Sequence, residues 1–342
     1  MTRTRRLPGI AMAAALMGAA ATSSAQTQNQ CFSPDKLAAK DGEQKPVKGI
    51  HTFDAASAPR TLASFTPIAQ NLRGAIRRVK LPAGRKLIAL TLDLCEQPGE
   101  VAGYDGAIFD TLRANGVKAT LFAGGKWLRS HDARVQQLMT DPLFEIGNHS
   151  EAHRNLRLLE GGALTNEILG PQRAYEAARA QMAASQCVAD HPKALAGAPA
   201  RMSLFRFPFG ACNQRSLDAV NDAGMLAIQW DVSTADPSPG QPAEAITKAM
   251  LNAKPGSILI AHANGRGHHT AEALPVAIPQ LKARGFEFVT VSELLAAGTP
   301  EVAGSCYDNR PGDSDEYDHL FPLKKPEPKT DVPPPANPAV PR

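Results

Sequence analysis

The chain is predicted to fold as an α/β domain, either a barrel or an open doubly wound sheet. Three observations predict it: short apolar runs recur, helix-like stretches separate them, and polar residues gather where the runs end.

The first run, Leu87 to Leu92, is followed by Ala119 to Phe122 and by Phe144 to Ile146. Leu204 to Phe207, Leu226 to Trp230, Ser257 to Ala261 and Phe286 to Val291 complete a set of seven candidate strands. Most are almost continuously apolar rather than alternating, as expected of parallel strands covered on both faces. Between them lie helix-like stretches. Asp105 to Ala114 stops at Gly116, Leu164 to Met182 and Ser216 to Ala223 follow, and Thr270 to Ala283 stops at Gly285.

The choice between the two architectures depends on where the polar residues fall. Asp93 closes the first run, His149 and His153 follow the third, and Arg206 lies in the fourth. Asp236 comes shortly after the fifth and His262 closes the sixth. Chemistry gathered at the carboxyl ends of strands is the pattern of a barrel rim. His149 and His153 are also four residues apart, a spacing that puts two imidazoles on one face of a helical turn, where both can reach one metal ion. Solvated helix faces show the same spacing, so the pair gains meaning only from the company it keeps.

The rest of the chain bounds the function. Residues 1–25, with Arg3, Arg5 and Arg6 before an apolar run from Ile10 to Ala21 and Ser23-Ser24-Ala25 after it, read as a signal peptide cleaved near Ala25. Arg5-Arg6 resembles a twin-arginine signal, but Leu7-Pro8 fits it poorly, so general secretion to the periplasm or exterior is expected. No later segment is apolar for long enough to span a bilayer. With a formal charge of +4 over 342 residues and no basic cluster interleaved with aromatics, nucleic acid is not an expected partner. Residues 26–78 show no sustained period and read as a loosely structured lead-in, residues 79–320 as the domain, and the proline-rich residues 321–342 as a flexible tail. Protein partners are not legible.

Thr91-Leu92-Asp93, His149-x-x-x-His153, Arg206-Phe207-Pro208-Phe209-Gly210, Trp230 through Asp236, and Leu259-Ile260-Ala261-His262 resemble, in order and spacing, the five motifs of the polysaccharide deacetylases. This is the NodB-homology group, carbohydrate esterase family four. The resemblance covers roughly residues 86–295 and implies a distorted (β/α)7 barrel. It implies hydrolysis of an N-acetyl amide on a glycan, such as peptidoglycan or a chitin-like polymer, assisted by a divalent ion, commonly zinc. By motif position Asp93 is the general base and His262 the general acid. Arg206 holds Asp93, Asp236 tunes His262, and Phe209 and Trp230 fall on the substrate and oxyanion side.

The chain departs from the family where the third metal ligand belongs. The usual Thr-Phe-Asp-Asp-Gly reads Asp93-Leu94-Cys95-Glu96 here. Three replacements are open, in this order: Asp93 itself, Glu96 reaching back, or Cys95 as a thiolate. A bridge between Cys95 and Cys212 is an equally good use of that thiol, and Cys31 with Cys306 is the expected tie between the ends, leaving Cys187 over. Pro237 stands where the fourth motif normally has Trp. Residues 187–202 are expected to form a lid or rim loop, and His268 and His269 a mobile loop. An alternative function is a barrel that lost turnover with the second Asp and serves as a glycan-binding or scaffolding protein.

Overall fold

The computed structural model describes residues 29–49 and 66–320. The expected signal peptide and proline-rich tail lie outside these residues.

The chain enters through α1 (Pro34–Leu37) and β1 (Val47–Lys48), then β2 (Ala75–Lys80) and β3 (Leu87–Leu94). After the short β4 (Glu100–Val101), strand and helix alternate: α2 (Gly106–Ala114), β5 (Ala119–Ala123), α3 (Gly125–Ser130), α4 (Asp132–Met139) and β6 (Phe144–Asn148). The long α5 (Gly161–Ala183) and α6 (Gln186–Asp190) lead to β7 (Leu204–Phe205). Then come α7 (Gln214–Asp222), β8 (Leu226–Ile228), β9 (Val232–Ser233), α8 (Ala243–Leu251), β10 (Ile258–His262) and α9 (Thr270–Ala283). The last elements are β11 (Glu287–Phe288), α10 (Val291–Ala296), β12 (Thr299–Ala303) and α11 (Tyr317–Leu320). Each of the seven apolar runs contains a strand.

The main sheet runs β12-β2-β8-β7-β6-β5-β3-β10-β9, with β11 paired to the start of β3. β8 and β9 are the two ends of one extended segment, one paired with β7 and the other with β10, so the sheet curls back on itself. β2 fills the gap this bend leaves: it pairs with β8, and Arg78 then bridges to Ser257 just before β10. The result is a distorted α/β barrel.

Side chains alternate across the central strands β3 and β10 and both faces are covered, which explains their nearly continuous apolar runs. In β3, Ile88, Leu90, Leu92 and Leu94 join the core under the helices, whereas Leu87 and Ala89 join the barrel interior. In β10, Leu259 and Ala261 face the helices while Ile258 and Ile260 face inward. The same parity aims Asp93 and His262 into the barrel mouth. It also buries Leu94 on the opposite face, so that position is closed to ligands.

The expected domain boundary between 78 and 79 falls inside β2, because Ala75, Ile76 and Val79 are fully buried in the sheet. The described part of the lead-in is tied to the domain as well. Arg134 of α4 pairs with Glu43 at 2.7 Å and donates to the carbonyls of Leu37 and Ala38. Cys31 is bonded to Cys187, and Cys212 to Cys306, so neither the Cys31–Cys306 nor the Cys95–Cys212 pairing occurs. Cys95, not Cys187, is the free thiol. The Cys31–Cys187 bridge closes a separation of 156 residues. Replacing both by alanine is expected to cost about 2–5 kcal/mol, read as a lower midpoint in thermal unfolding; an unchanged midpoint would show that the bridge adds nothing.

Candidate active site

Arg206 follows β7 and is wholly buried, its backbone N–H donating to Asn148 O at 2.8 Å. Its guanidinium donates to Asp93 Oδ1 at 2.8 Å and Thr91 Oγ1 at 2.7 Å, and to the carbonyls of Ile228 and Gln229. The flat group lies 4.1 Å above the Phe122 ring. Burial works to raise the Asp93 pKa, but the charges of Arg206, His149 and His262 outweigh it, and the carboxyl is held below its usual range. Asp93 is thus held ionised and oriented.

His149 follows β6 and is buried. Its Nδ1 lies 2.9 Å from the Arg206 carbonyl, which can only accept, so Nδ1 carries the proton and Nε2 presents a lone pair. That Nε2 has no hydrogen-bond partner and sits 3.4 Å from Asp93 Oδ2. Burial depresses the pKa of His149. His153 has a buried Nδ1 that also lacks a hydrogen-bond partner, and burial followed by the neighbouring positive groups pulls its pKa well below the ordinary value.

The two histidines do not meet on a helical turn as their spacing predicts. Residues 149–153 form a loop in which Ser150 (φ 65°) and His153 (φ 53°) take left-handed backbone, and this fold brings the ring centroids to 5.0 Å. Phe209 (φ 59°) and Ala235 (φ 54°) are further left-handed residues on the same rim. Such conformations cost of order 1–3 kcal/mol each and persist where a site demands them.

The third donor beside the histidines is Cys95. Its Sγ and one nitrogen of each histidine lie within 4.8 Å of one another. Zinc takes nitrogen and sulfur donors of this kind at about 2.0–2.3 Å. Two orphaned imidazole nitrogens and a buried sulfur therefore fit a divalent metal of the softer kind. Asn264 Nδ2 donates to Cys95 Sγ at 3.1 Å, supporting the sulfur from behind. Burial, then the Asp93 charge, pushes the free thiol up to about 12, so a thiolate forms there only against a positive partner.

Strand parity separates Glu96 from the other two expected third ligands, Asp93 and Cys95, whose positions share the inward face of β3. Position 95 continues the inward face of β3, while position 96 points out of the barrel. Glu96 accepts from Ser130 Oγ at 2.5 Å and Ala102 N at 3.1 Å, with Lys126 3.4 Å away, and does not join the histidines. Asp93 stays on Arg206.

His262 ends β10. Its Nδ1 is 2.9 Å from Asp236 Oδ1, and its backbone N–H donates to Oδ2 at 2.8 Å. Thr234 and Thr270 hydroxyls hold the same carboxylate at 3.0 and 2.7 Å. Burial lowers the His262 pKa, but the Asp236 charge and hydrogen bond, with the Asp93 charge, more than offset it, and the net shift is upward. Nδ1 occupied by Asp236 leaves Nε2 as the working nitrogen.

Asp93, Cys95, His153, Asp236 and His262 line one cleft of about 400 Å³ with Phe207, Phe209, Trp230 and Pro237. Two other lining residues, Asp308 and Tyr317, escape the sequence reading. Cys306, bonded to the cysteine that follows the third motif, is the only local hint of them. Residues 187–202 contribute nothing to this cleft: Cys187 is tied to Cys31, and the carbonyls of Ala198 and Pro199 are bound by Arg179 and Tyr175 of α5. His269 Nδ1 lies 3.8 Å from the Glu272 carboxylate and, like His268, does not line the cleft.

A family model described as polysaccharide deacetylase matches residues 80–228. A peptidoglycan-N-acetylglucosamine deacetylase of Bacillus cereus is 30% identical over 222 residues, spanning 63% of this chain and 91% of that protein. Another from the same organism is 28% identical over 218 residues, 63% of this chain and 70% of its own length. Among solved structures, the Bc1960 peptidoglycan N-acetylglucosamine deacetylase superposes with a TM-score of 0.53 at 24% identity, covering 67% of this chain and 96% of that one. BA3943, a CE4 family pseudoenzyme from Bacillus anthracis, superposes at 0.52 and 24% identity, covering 65% and 69%. These superpositions bear on the fold.

Proposed function

The chain belongs to the polysaccharide deacetylase family, and from that premise we propose that it is an exported, metal-dependent hydrolase removing N-acetyl groups from a glycan. The observation that carries this reading is the cleft itself, where a buried Asp93–Arg206 pair and an Asp236-held His262 flank Cys95, His149 and His153. A scaffold has no need of this acid–base set.

The residues then take the following roles. His149, His153 and Cys95 hold the divalent ion, and the thiolate with two imidazoles favours zinc. Bound there, the ion supplies Lewis acidity toward the acetyl carbonyl and acidifies a water. Asp93, kept ionised and fixed by Arg206, accepts the proton of the attacking water. The N–H of Phe209, in the strained turn after Arg206, faces the oxyanion. His262 Nε2 gives a proton to the departing amine, leaving a free amine and acetate. Export is supported by the signal-like N-terminus and by two disulfides, which persist in oxidising compartments.

Acetate release from N-acetylglucosamine oligomers and from peptidoglycan, with and without added zinc or cobalt, tests the activity. A separate measurement tests the ligand set. Cys95→Ala is expected to reduce metal per chain in elemental analysis after dialysis, and to abolish the near-ultraviolet thiolate-to-metal band of the cobalt-loaded protein. Full metal content in that variant would exclude Cys95 as a ligand. The second reading, a glycan-binding barrel without turnover, draws on Leu94, buried where the family motif has its second carboxylate. It is favoured if no substrate yields acetate and no metal is retained.

A further inference from the structure

After β12 the chain returns to the cleft in residues 304–320, beyond the part that matches the family model. This strap is fastened at several points. Cys306 is bonded to Cys212, two residues after the Pro208–Gly210 turn that carries Phe209. Arg77 donates to the carbonyls of Tyr307 and, at 2.7 Å, Asp308, and lies 3.7 Å over the Tyr307 ring. Arg157 pairs with Asp318 at 3.0 Å, and Asn155 donates to the same carboxylate at 2.8 Å. Within the strap, the Asp313 carboxylate collects the N–H groups of Asp308, Asn309 and Arg310.

So many ties on so short a segment give two cleft side chains a fixed position. Asp308 Oδ1 accepts the Trp230 indole N–H at 2.7 Å, which aligns the carboxylate in the cleft. Tyr317 stacks on Phe209 with ring centroids 5.1 Å apart, and Phe209 in turn packs on the His153 ring at 4.6 Å. The strap therefore touches the ring that touches a candidate metal ligand. A carboxylate presents acceptors for sugar hydroxyls, and an aromatic edge beside it contacts the apolar flank of a pyranose. At about 400 Å³ the volume of this open cleft is near the low end of small-molecule pockets, roughly 300–1,000 Å³.

We propose that the disulfide-fastened strap is a substrate-binding element, with Asp308 and Tyr317 as positioning residues that select short N-acetylated oligosaccharides or chain ends over the interior of a polymer. The proposal rests on the glycan deacetylase reading for its ligand class. It does not depend on turnover or on the metal.

The test compares N-acetylglucosamine dimer to hexamer with soluble glycol chitin, reading binding by tryptophan fluorescence and turnover by acetate release. Asp308→Asn keeps an oxygen for Trp230 while removing the charge, and Tyr317→Leu removes the aromatic edge while keeping an apolar side chain. Each is expected to weaken dimer and trimer binding about tenfold and to raise KM similarly, with kcat within about twofold. Replacing Cys212 and Cys306 together by alanine is expected to narrow the preference for short over polymeric substrate by about tenfold. Folded Asp308→Asn and Tyr317→Leu proteins that bind the dimer as the parent does would overturn the proposal, as would a parent that binds no oligomer. Strap-dependent binding without acetate release would uphold the strap and sink the deacetylase reading. Acetate release unaffected by all three changes would do the reverse.

Discussion

Replacing His262 by alanine is expected to lower kcat/KM for deacetylation by roughly 10²- to 10⁴-fold, the usual worth of a positioned general acid, with metal content unchanged. The geometry asks for this residue in particular. Its Nδ1 is committed to Asp236, whose two oxygens are also held by Thr234, Thr270 and the His262 backbone, so the ring has one orientation and one free nitrogen. The pH profile carries a second signature. Burial pulls the His262 pKa down, but Asp236 and then Asp93 push it further up, so the imidazolium persists above the ordinary histidine range. A required general acid gives full rate below its pKa and loses rate as pH rises through it. The alkaline limb of kcat/KM should therefore lie above the ordinary histidine value. Asp236→Asn removes the main raising influence and should move that limb to lower pH as well as reduce the rate. An alkaline limb that stays in place in Asp236→Asn would show that another group titrates.

Arg206→Met is expected to destabilise the fold by about 3–5 kcal/mol, because it strands the Asp93 carboxylate in a dry interior. For a domain of this size that corresponds to a fall of roughly 6–20 °C in the unfolding midpoint. Five acceptors lose their donor at once: Thr91, Asp93, two backbone carbonyls and the Phe122 ring face. The loss should depend on pH in a defined direction. In the parent the Asp93 pKa is depressed, so its pairing contributes stability above the unfolded-state carboxyl pKa and is lost as pH falls through the folded value. In the variant, burial without a partner raises the Asp93 pKa, so protonation at mildly acidic pH relieves the strain. The gap between parent and variant should accordingly shrink as pH is lowered. A gap that widens instead, measured by denaturant titration across that range, would exclude a stranded carboxylate as its cause.

Much of the barrel is legible in the chain because its strands are buried on both faces. An unbroken apolar run such as Leu87 to Leu92 has no other place to go. β2 is hidden from such a reading, since Ala75–Lys80 carries Arg77, Arg78 and Lys80 and looks like surface. Arg77 is nonetheless buried against the strap, where carbonyls satisfy it. α4 is hidden for a similar reason: Arg134 and Gln137 are polar yet buried, bound to backbone carbonyls of the N-terminal segment.

The candidate site divides in the same way. Asp93, His149, Arg206, Asp236 and His262 can be named from the chain because each lies near the carboxyl end of an apolar run, and strand ends converge in a barrel whatever the loops do. Sequence alone thus determined the fold class and the titratable residues that the strand ends bring to the rim. Tertiary structure decided which groups complete that rim. Cys95 rather than Glu96 reaches the histidines because alternation on β3 sends position 95 inward and 96 outward. His149 and His153 converge through a left-handed loop, not a helical turn. Disulfide partners and the strap residues Asp308 and Tyr317 lie far apart in the chain from what they touch. The antiparallel pairing of β12 with β2 leads the last segment back toward the cleft, where the Cys212–Cys306 bridge, Arg77 and Arg157 fasten the strap.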